Sequence, residues 1–313
     1  MSARFYTVAD ERYFLGAVGL VNSLRLVGHG EPIHLLDIGL TGEQRALLEP
    51  EVTLVEGPPS TPPWLQMSVA PLAHPDDVMV LIDADMVVTR SLGEVIDQAR
   101  AGEVIAVEHG SDRHRPEWGE VLSLGEVRRQ PYVCSGLLVT GREPGVEVLE
   151  LMEELAGRVE IERTWFGRRE DDYPLLFPDQ DILNAILASR VDADRVVALD
   201  RELEPIPPFE GVEVVDEKTL CCRLPDGREP YLLHHYAAKP WLEETPEGPY
   251  SLLLRRLLGG DDLAIEAPAR MIPKRLRSGA FARALRARAS GAGRFDAYFR
   301  EPLAGLVRGR RRG

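Results

Sequence analysis

The first 55 residues alternate strand-like runs with helical ones, and few folds accept that order. Arg4–Ala9 has the character of a strand (Phe5, Tyr6, Val8). Asp10-Glu11-Arg12 then opens a helix expected from about Tyr13 to Val27, with apolar Phe14, Val18, Val21 and Leu24 at helical spacing and Gly28-His29-Gly30 closing it. Pro32–Ile38 reads as a second strand. Thr41–Leu48 reads as a short helix with Glu43-Gln44 near the capping-box position, and Val52–Val55 as a third strand. Strand–helix–strand–helix–strand requires parallel strands joined by crossovers, so the fold class is α/β.

Gly57–Pro63 is a Pro-rich loop. Val78–Ile82 is nearly continuous in apolar residues, as a strand covered on both faces should be, and it stops at Asp83-Ala84-Asp85. A helix is expected at Leu92–Ala101 and a strand at Glu103–Val107, followed by a polar, irregular stretch, His109–Arg129. Tyr132–Val139 is apolar again, Val146–Gly157 is helical, and Phe177–Asp181 leads into a helix through about Ala188. Tyr231–His235 is the last strand. No internal repeat interrupts this order.

Hydrophobic residues at 44% and charged residues at 28% give a globular composition, and the 24 prolines and 28 glycines have no period, which excludes collagen-like and low-complexity chains. No apolar run approaches the ~18 residues of a membrane span. Met1–Phe5 lacks the layout of a signal peptide, and three cysteines, two of them the adjacent Cys221 and Cys222, make no disulfide framework. The expectation is a cytoplasmic protein. The charge is divided. Met1–Ala264 carries 24 basic and 48 acidic residues, whereas Ile265–Gly313 carries 13 and 3. The acidic body is a poor partner for nucleic acid. Two parts are expected: residues 1–264 as the acidic body and 265–313 as a basic helical extension. In the extension Met271, Ile272, Leu276, Phe281 and Leu285 recur near helical spacing, interleaved with Arg275, Arg277, Arg283, Arg286 and Arg288. That pattern fits peripheral docking on an anionic membrane; the competing reading folds it back on the acidic body or leaves it solvated.

Asp83 and Asp85 sit at the carboxyl end of a buried strand, where open α/β sheets bind ligands, and two carboxylates on one turn can converge on a hard cation. His234-His235 ends a second apolar strand. Strand alternation puts the two rings on opposite faces, so at most one is a ligand. An imidazole beside two carboxylates makes a mixed N/O site suited to Mn²⁺, and Lys239, four residues beyond His235, is placed to neutralise a phosphate. Met79, Leu81 and Ile82 belong to the core. Asp179 looks like a helix N-cap, but four polar residues (Asp179, Gln180, Asp181, Asn184) on an otherwise apolar helix exceed what capping requires. Cys134-Ser135-Gly136 puts small residues in a strand, which permits a ligand or backbone to approach closely or marks a bulge.

Taken in order, these segments resemble the retaining glycosyltransferases of family 8, the group that includes bacterial lipopolysaccharide galactosyl- and glucosyltransferases and glycogenin. Ala9-Asp10-Glu11-Arg12-Tyr13 resembles the family's nucleotide-binding start. Leu35–Leu40 with Gln44-Arg45 resembles its second strand and turn, and Leu81–Val88 its metal motif. Cys134-Ser135-Gly136 stands where the family has Asn-Ala-Gly or Asn-Ser-Gly. Asp179–Asn184 resembles its Asp-Gln-Asp-x-x-Asn segment, and His235 with Tyr236–Trp241 its closing His…Lys-Pro-Trp motif. The resemblance implies a GT-A fold and transfer of a hexose from a nucleotide-diphosphate sugar, usually a UDP-sugar, to a saccharide or lipid-linked acceptor. It implies Mn²⁺ (or Mg²⁺) held by Asp83, Asp85 and a histidine, of the two preferably His235, with Lys239 on the diphosphate. It implies Asp10 and Tyr13 at the nucleoside, Ser135 and Gly136 in the donor pocket, Asp179 on donor-sugar hydroxyls and Gln180 beside the anomeric carbon. Glutamine is a feeble nucleophile, so a same-face ion-pair route to retention is favoured. Three departures stand out. His235 to Lys239 is four residues where the family usually has six with a central Gly. Cys134 replaces an Asn. No Arg or Lys lies between Arg45 and Arg90, where Gln66 is the candidate to take that place.

Two other readings compete. A haloacid-dehalogenase-type phosphatase would use Asp83 as nucleophile, but that motif normally opens its fold, and it gives the Asp-Gln-Asp and Lys-Pro-Trp segments no role. A GT-A-like nucleotide-sugar-binding module without turnover would explain the replaced Asn and the shortened last motif.

Overall fold

The computed structural model describes residues 2–58, 62–236 and 238–277. The chain begins with β1 (Ala3–Ala9), α1 (Phe14–Leu26), β2 (Ile33–Asp37), α2 (Gly42–Leu48) and β3 (Thr53–Glu56), in the expected order. The α2 cap is a full capping box: Thr41 Oγ1 accepts from Gln44 N, and Gln44 Oε1 accepts from Thr41 N. Asp10 does not cap α1. Its Oδ1 accepts from Arg12 N and Tyr13 N, both at 2.9 Å, in a turn ahead of the helix.

Next come α3 (Val69–Ala73), β4 (Val78–Ile82), β5 (Met86–Val88), α4 (Gly93–Arg100), β6 (Val104–Glu108), the single turn α5 (Trp118–Val121), β7 (Val133–Gly141), α6 (Arg142–Ala156), α7 (Pro178–Ser189) and β8 (Val196–Leu199). Seven strands form one sheet in the order β3-β2-β1-β4-β7-β6-β8. Every pairing is parallel except the two made by β7, which runs against β4 and β6. Alternation along β4 explains its unbroken apolar run. Val78, Val80 and Ile82 enter the core beneath α1 and α4, while Met79 and Leu81 enter the opposite core beneath α6 and α7.

A hairpin of β9 (Glu213–Asp216) and β10 (Cys221–Arg223) precedes β11 (Leu232–His234), which leaves the main sheet and pairs antiparallel with β5. The described part of the basic extension packs on the body. Asn22 of α1, fully buried, donates to Leu257 O in α8 (Pro249–Gly259) and to Ile265 O, and accepts from Ile265 N. Ile272 and Leu276, the latter in the single turn α9 (Lys274–Arg277), are buried in the α1/α8 core, and Arg275 Nε donates to Pro240 O. The rest of the expected amphipathic pattern, including Phe281 and Leu285, lies outside the described residues. Among the described residues no helix is long and apolar enough to cross a membrane.

Candidate active site

The site forms where β4 ends. Asp83 N donates to Gly136 O of β7 at 2.9 Å, and Met86 N donates back to Asp83 O at 3.2 Å, so the Asp83-Ala84-Asp85 turn is fixed at both ends. The chain leaves it as β5, whose register with β11 sets Met86 opposite His234. That register delivers the third group. One ligand atom from each of Asp83, Asp85 and His234 lies within 4.8 Å of the others. His234 Nε2 is 3.4 Å from Asp85 Oδ1 and 3.9 Å from Asp83 Oδ2, while its Nδ1 meets Glu204 Oε1 at 2.7 Å.

The expected ligand His235 is not in this group. It is the next residue along the chain and points the other way, packing between Tyr250 (ring centroids 5.0 Å) and Phe209 (5.6 Å). Its contribution is through the backbone: His235 N donates to Asp85 O, and His235 O accepts from Lys239 Nζ. Burial, reinforced by the Lys239 cation, pulls the His235 pKa down to about 4.

Lys239 is buried and donates to Asp85 Oδ2 at 2.5 Å, with its Nζ 5.7 Å from the Tyr13 ring centroid. The two Asp85 oxygens therefore differ. Oδ2 is held by the ammonium, while Oδ1 is buried without a hydrogen-bond partner and faces His234 Nε2. Burial works against ionisation of Asp85, but Lys239 and then His234 hold its carboxyl far below the usual range. Asp83 moves upward, through burial and then repulsion from Asp85. Its side chain keeps 38% of its surface against 9% for Asp85, so Asp83 is the arm that opens to solvent. Burial opposes charge on His234, yet Asp85 and Glu204 outweigh it and raise its pKa to about 10.

Two glycines make this packing fit. A Cβ on Gly136 would fall 3.0 Å from both Asp83 Oδ2 and His234 Cε1. A Cβ on Gly16 would fall 2.5 Å from Ala84 O and 2.8 Å from the Trp241 ring, so α1 approaches the turn only because Gly16 has no side chain. Trp241 is structural: its Nε1 donates to Arg12 O at 2.7 Å and its ring meets Tyr13 edge to face. This places Tyr13 beside Lys239, with Asp10 accepting from the Tyr13 backbone N–H.

The α7 segment divides. Asp179 is not the cap of α7; Pro178 opens the helix, and Asp179 Oδ2 accepts from Ser135 Oγ at 2.6 Å. Asp179 lies close enough to Asp83 to add to its upward shift, which brings Asp179, Ser135 and Gly136 to the same side as the carboxylate pair. Gln180, the next residue, is half-buried, with its side chain at the Tyr132 hydroxyl. Asp181, fully buried, has another task. It takes both Arg113 Nε and Nη2 at 2.7 Å, the Tyr132 hydroxyl at 2.7 Å and Phe177 N at 2.9 Å. Asn184 clamps β7 through Val133 N and Val133 O, both at 2.8 Å. Asp181 and Asn184 dock the helix, while Asp179 faces the carboxylate pair.

Glu204 and Arg113 were not legible as site residues. Glu204 stands between Leu203 and Pro205 with no local pattern around it, and only the fold brings it under His234. Arg113 lies in the polar His109–Arg129 stretch, where nothing distinguishes it from its neighbours.

No protein-family profile matches the chain, and no curated protein sequence matches it. Solved structures do. An active-site mutant of LgtC aligns over 85% of this chain and 98% of its own, at a TM-score of 0.56 and 14% identity. The galactosyltransferase LgtC in complex with donor and acceptor sugar analogues aligns over the same shares, at 0.56 and 16%. The fold is GT-A. The apo bifunctional glycosyltransferase WbbM aligns over 84% of this chain and 50% of its own, at 0.51 and 17%. In this chain Asp83 follows the fourth strand rather than the first.

Proposed function

We propose that the chain is a glycosyltransferase of the family 8 type, moving a hexose with retention from a UDP-sugar to a saccharide or lipid-linked acceptor with a divalent cation, Mn²⁺ or Mg²⁺. The observation that carries this is the convergence of Asp83, Asp85 and His234 at the carboxyl end of β4, with Lys239 buried against Asp85. The donor set fits a divalent ion: two carboxylates, an imidazole, and a buried Asp85 Oδ1 lacking a hydrogen-bond partner. Asp83, Asp85 and His234 would hold it. When bound, such an ion stabilises charge on a diphosphate leaving group.

The surrounding residues take the remaining roles. Lys239 supplies a fixed positive charge to the diphosphate. Asp10 spends Oδ1 on the turn before α1, so Oδ2 is the oxygen that accepts from a uracil N–H or a ribose hydroxyl. Tyr13 walls that pocket. Gly136 provides clearance, and Ser135 orients Asp179 toward donor-sugar hydroxyls. Gln180 stands at the anomeric carbon and steadies positive charge there without forming a bond.

A thermal-shift panel of nucleotide sugars, with and without Mn²⁺, tests the reading. A UDP-hexose at about 100 times its Kd should stabilise the chain by ~2.7 kcal/mol, and only with the metal. Absence of stabilisation by every nucleotide sugar would overturn it. A binding module without turnover is the second reading, favoured by Cys134 at the position where an Asn would donate to the sugar. Mn²⁺-dependent hydrolysis of the donor separates the two.

A further inference from the structure

Near Asp179 one loop holds two aromatic rings out in solvent, and a half-buried third ring packs against it. Trp64 lies flat on Phe166, with ring centroids 4.5 Å apart and planes 12° from parallel. Phe166 is 53% exposed and Trp165 is 42% exposed. Trp165 leans on Phe177 at 5.6 Å, two residues before Asp179. Trp64 also lines a narrow cleft with Leu65, Met67, Asp179 and Ile182, which links that ring to the candidate sugar-binding carboxylate.

The loop that carries Trp165 and Phe166 is shaped from beneath. Thr164 is fully buried; its hydroxyl donates to Ile161 O at 2.7 Å and accepts from Phe166 N at 3.2 Å. Trp165 N donates to Leu176 O at 2.8 Å, and Gly167 packs so tightly that a Cβ would fall 2.4 Å from Glu162 O. None of these contacts uses the aromatic rings. Rings displayed on a preformed loop add little to the core, and covering them later costs little ordering entropy. Their rim is charged: the Arg169 guanidinium lies 4.1 Å over the Trp165 ring, and Arg168 pairs with Glu162 nearby.

A pyranose matches this surface. One face of the sugar is a plane of C–H groups, complementary to the electron-rich face of an aromatic ring, and its hydroxyl edge suits a charged rim. An acyl chain or an apolar protein face would gain nothing from those charges. Resting on the glycosyltransferase reading, we propose that the stacked Trp64–Phe166 pair, flanked by Trp165, is the subsite that receives the saccharide acceptor, with Asp179 at its inner end.

Two of the four tryptophans, Trp118 and Trp241, are buried, so acrylamide quenching of intrinsic fluorescence in the full chain reads Trp64 and Trp165. Lactose, cellobiose and maltotriose are the probes, titrated to 100 mM, with phosphatidylglycerol vesicles and protein dilution as separate arms. At least one sugar should protect against quenching. Phe166→Ser should weaken that protection about tenfold or more with an unchanged melting curve, and Trp64→Ser should weaken it likewise. Unprotected quenching with all three sugars, protection that survives both substitutions, or protection that follows vesicles or protein concentration instead would overturn the subsite. Thermal stabilisation by UDP with Mn²⁺ is scored on the same samples. UDP stabilisation without sugar protection overturns the subsite alone, and sugar protection without UDP stabilisation overturns the donor reading alone.

Discussion

Glu204 and His234 form a buried pair, with Oε1 2.7 Å from Nδ1, and that contact turns Nε2 toward Asp85 and Asp83. A carboxylate behind a ligating imidazole fixes ring orientation and raises its basicity. Glu204→Gln, which keeps the shape and removes the charge, should weaken Mn²⁺ binding by about 10- to 100-fold in a calorimetric titration. Unchanged affinity would reduce Glu204 to a packing role.

Gly136 leaves space that a methyl group would fill. A Cβ there sits 2.5 Å from Met86 Cε and 3.0 Å from Asp83 Oδ2. Gly136→Ala should push the carboxylate and imidazole apart, cost about 1–3 kcal/mol through overpacking, and weaken Mn²⁺ binding more than tenfold. Equilibrium denaturation and metal titration check the two effects separately.

Asp181 and Gln180 are chain neighbours with opposite consequences. Asp181→Ala leaves the Arg113 guanidinium without its buried partner and should cost about 3–5 kcal/mol in urea unfolding. Gln180→Ala should leave stability within about 0.5 kcal/mol, donor affinity intact and turnover sharply lower. Loss of donor affinity with normal turnover would contradict the role given to Gln180.

His34 is buried beside Arg4 and His74, and burial first, then the Arg4 charge, lowers its pKa from 6.5 to about 4. The unfolded chain takes up a proton near pH 6.5 and the folded chain only near 4, so the unfolded state binds more protons in between. The His34 contribution to stability should be flat above pH 6.5 and fall as pH drops toward 4. His235, lowered to about 4 by burial and Lys239, adds to the same slope. His34→Gln should flatten part of it in denaturation curves recorded across that range.

Much of this site was legible because strand ends and helix starts carry it. The continuous apolar run Val78–Ile82 reads as a strand ending at Asp83, and β4 has those bounds. The β1–β3 alternation and the capping box at Thr41 held for the same local reasons. The choice between His234 and His235 was not legible. It depends on the register of β11 against β5, and β5 is a three-residue strand whose pairing is set by tertiary packing. Asp181 and Asn184 read as polar excess on a helix, because nothing local reveals that Tyr132, Val133 and Arg113 wait to be bonded. The hairpin of β9 and β10 leaves no mark in the sequence, because short, half-exposed strands have little apolar periodicity.

The central claim is that Asp83, Asp85 and His234 hold a divalent cation for a nucleotide-diphosphate ligand. Electron paramagnetic resonance of Mn²⁺, titrated into the full chain with and without UDP, tests it most directly when Asp85→Asn is run alongside. The account predicts that the free-ion signal disappears into a bound form, that UDP tightens the binding, and that Asp85→Asn abolishes both while keeping the wild-type far-UV spectrum. Mn²⁺ bound equally well by Asp85→Asn, or bound with no response to UDP, would contradict it.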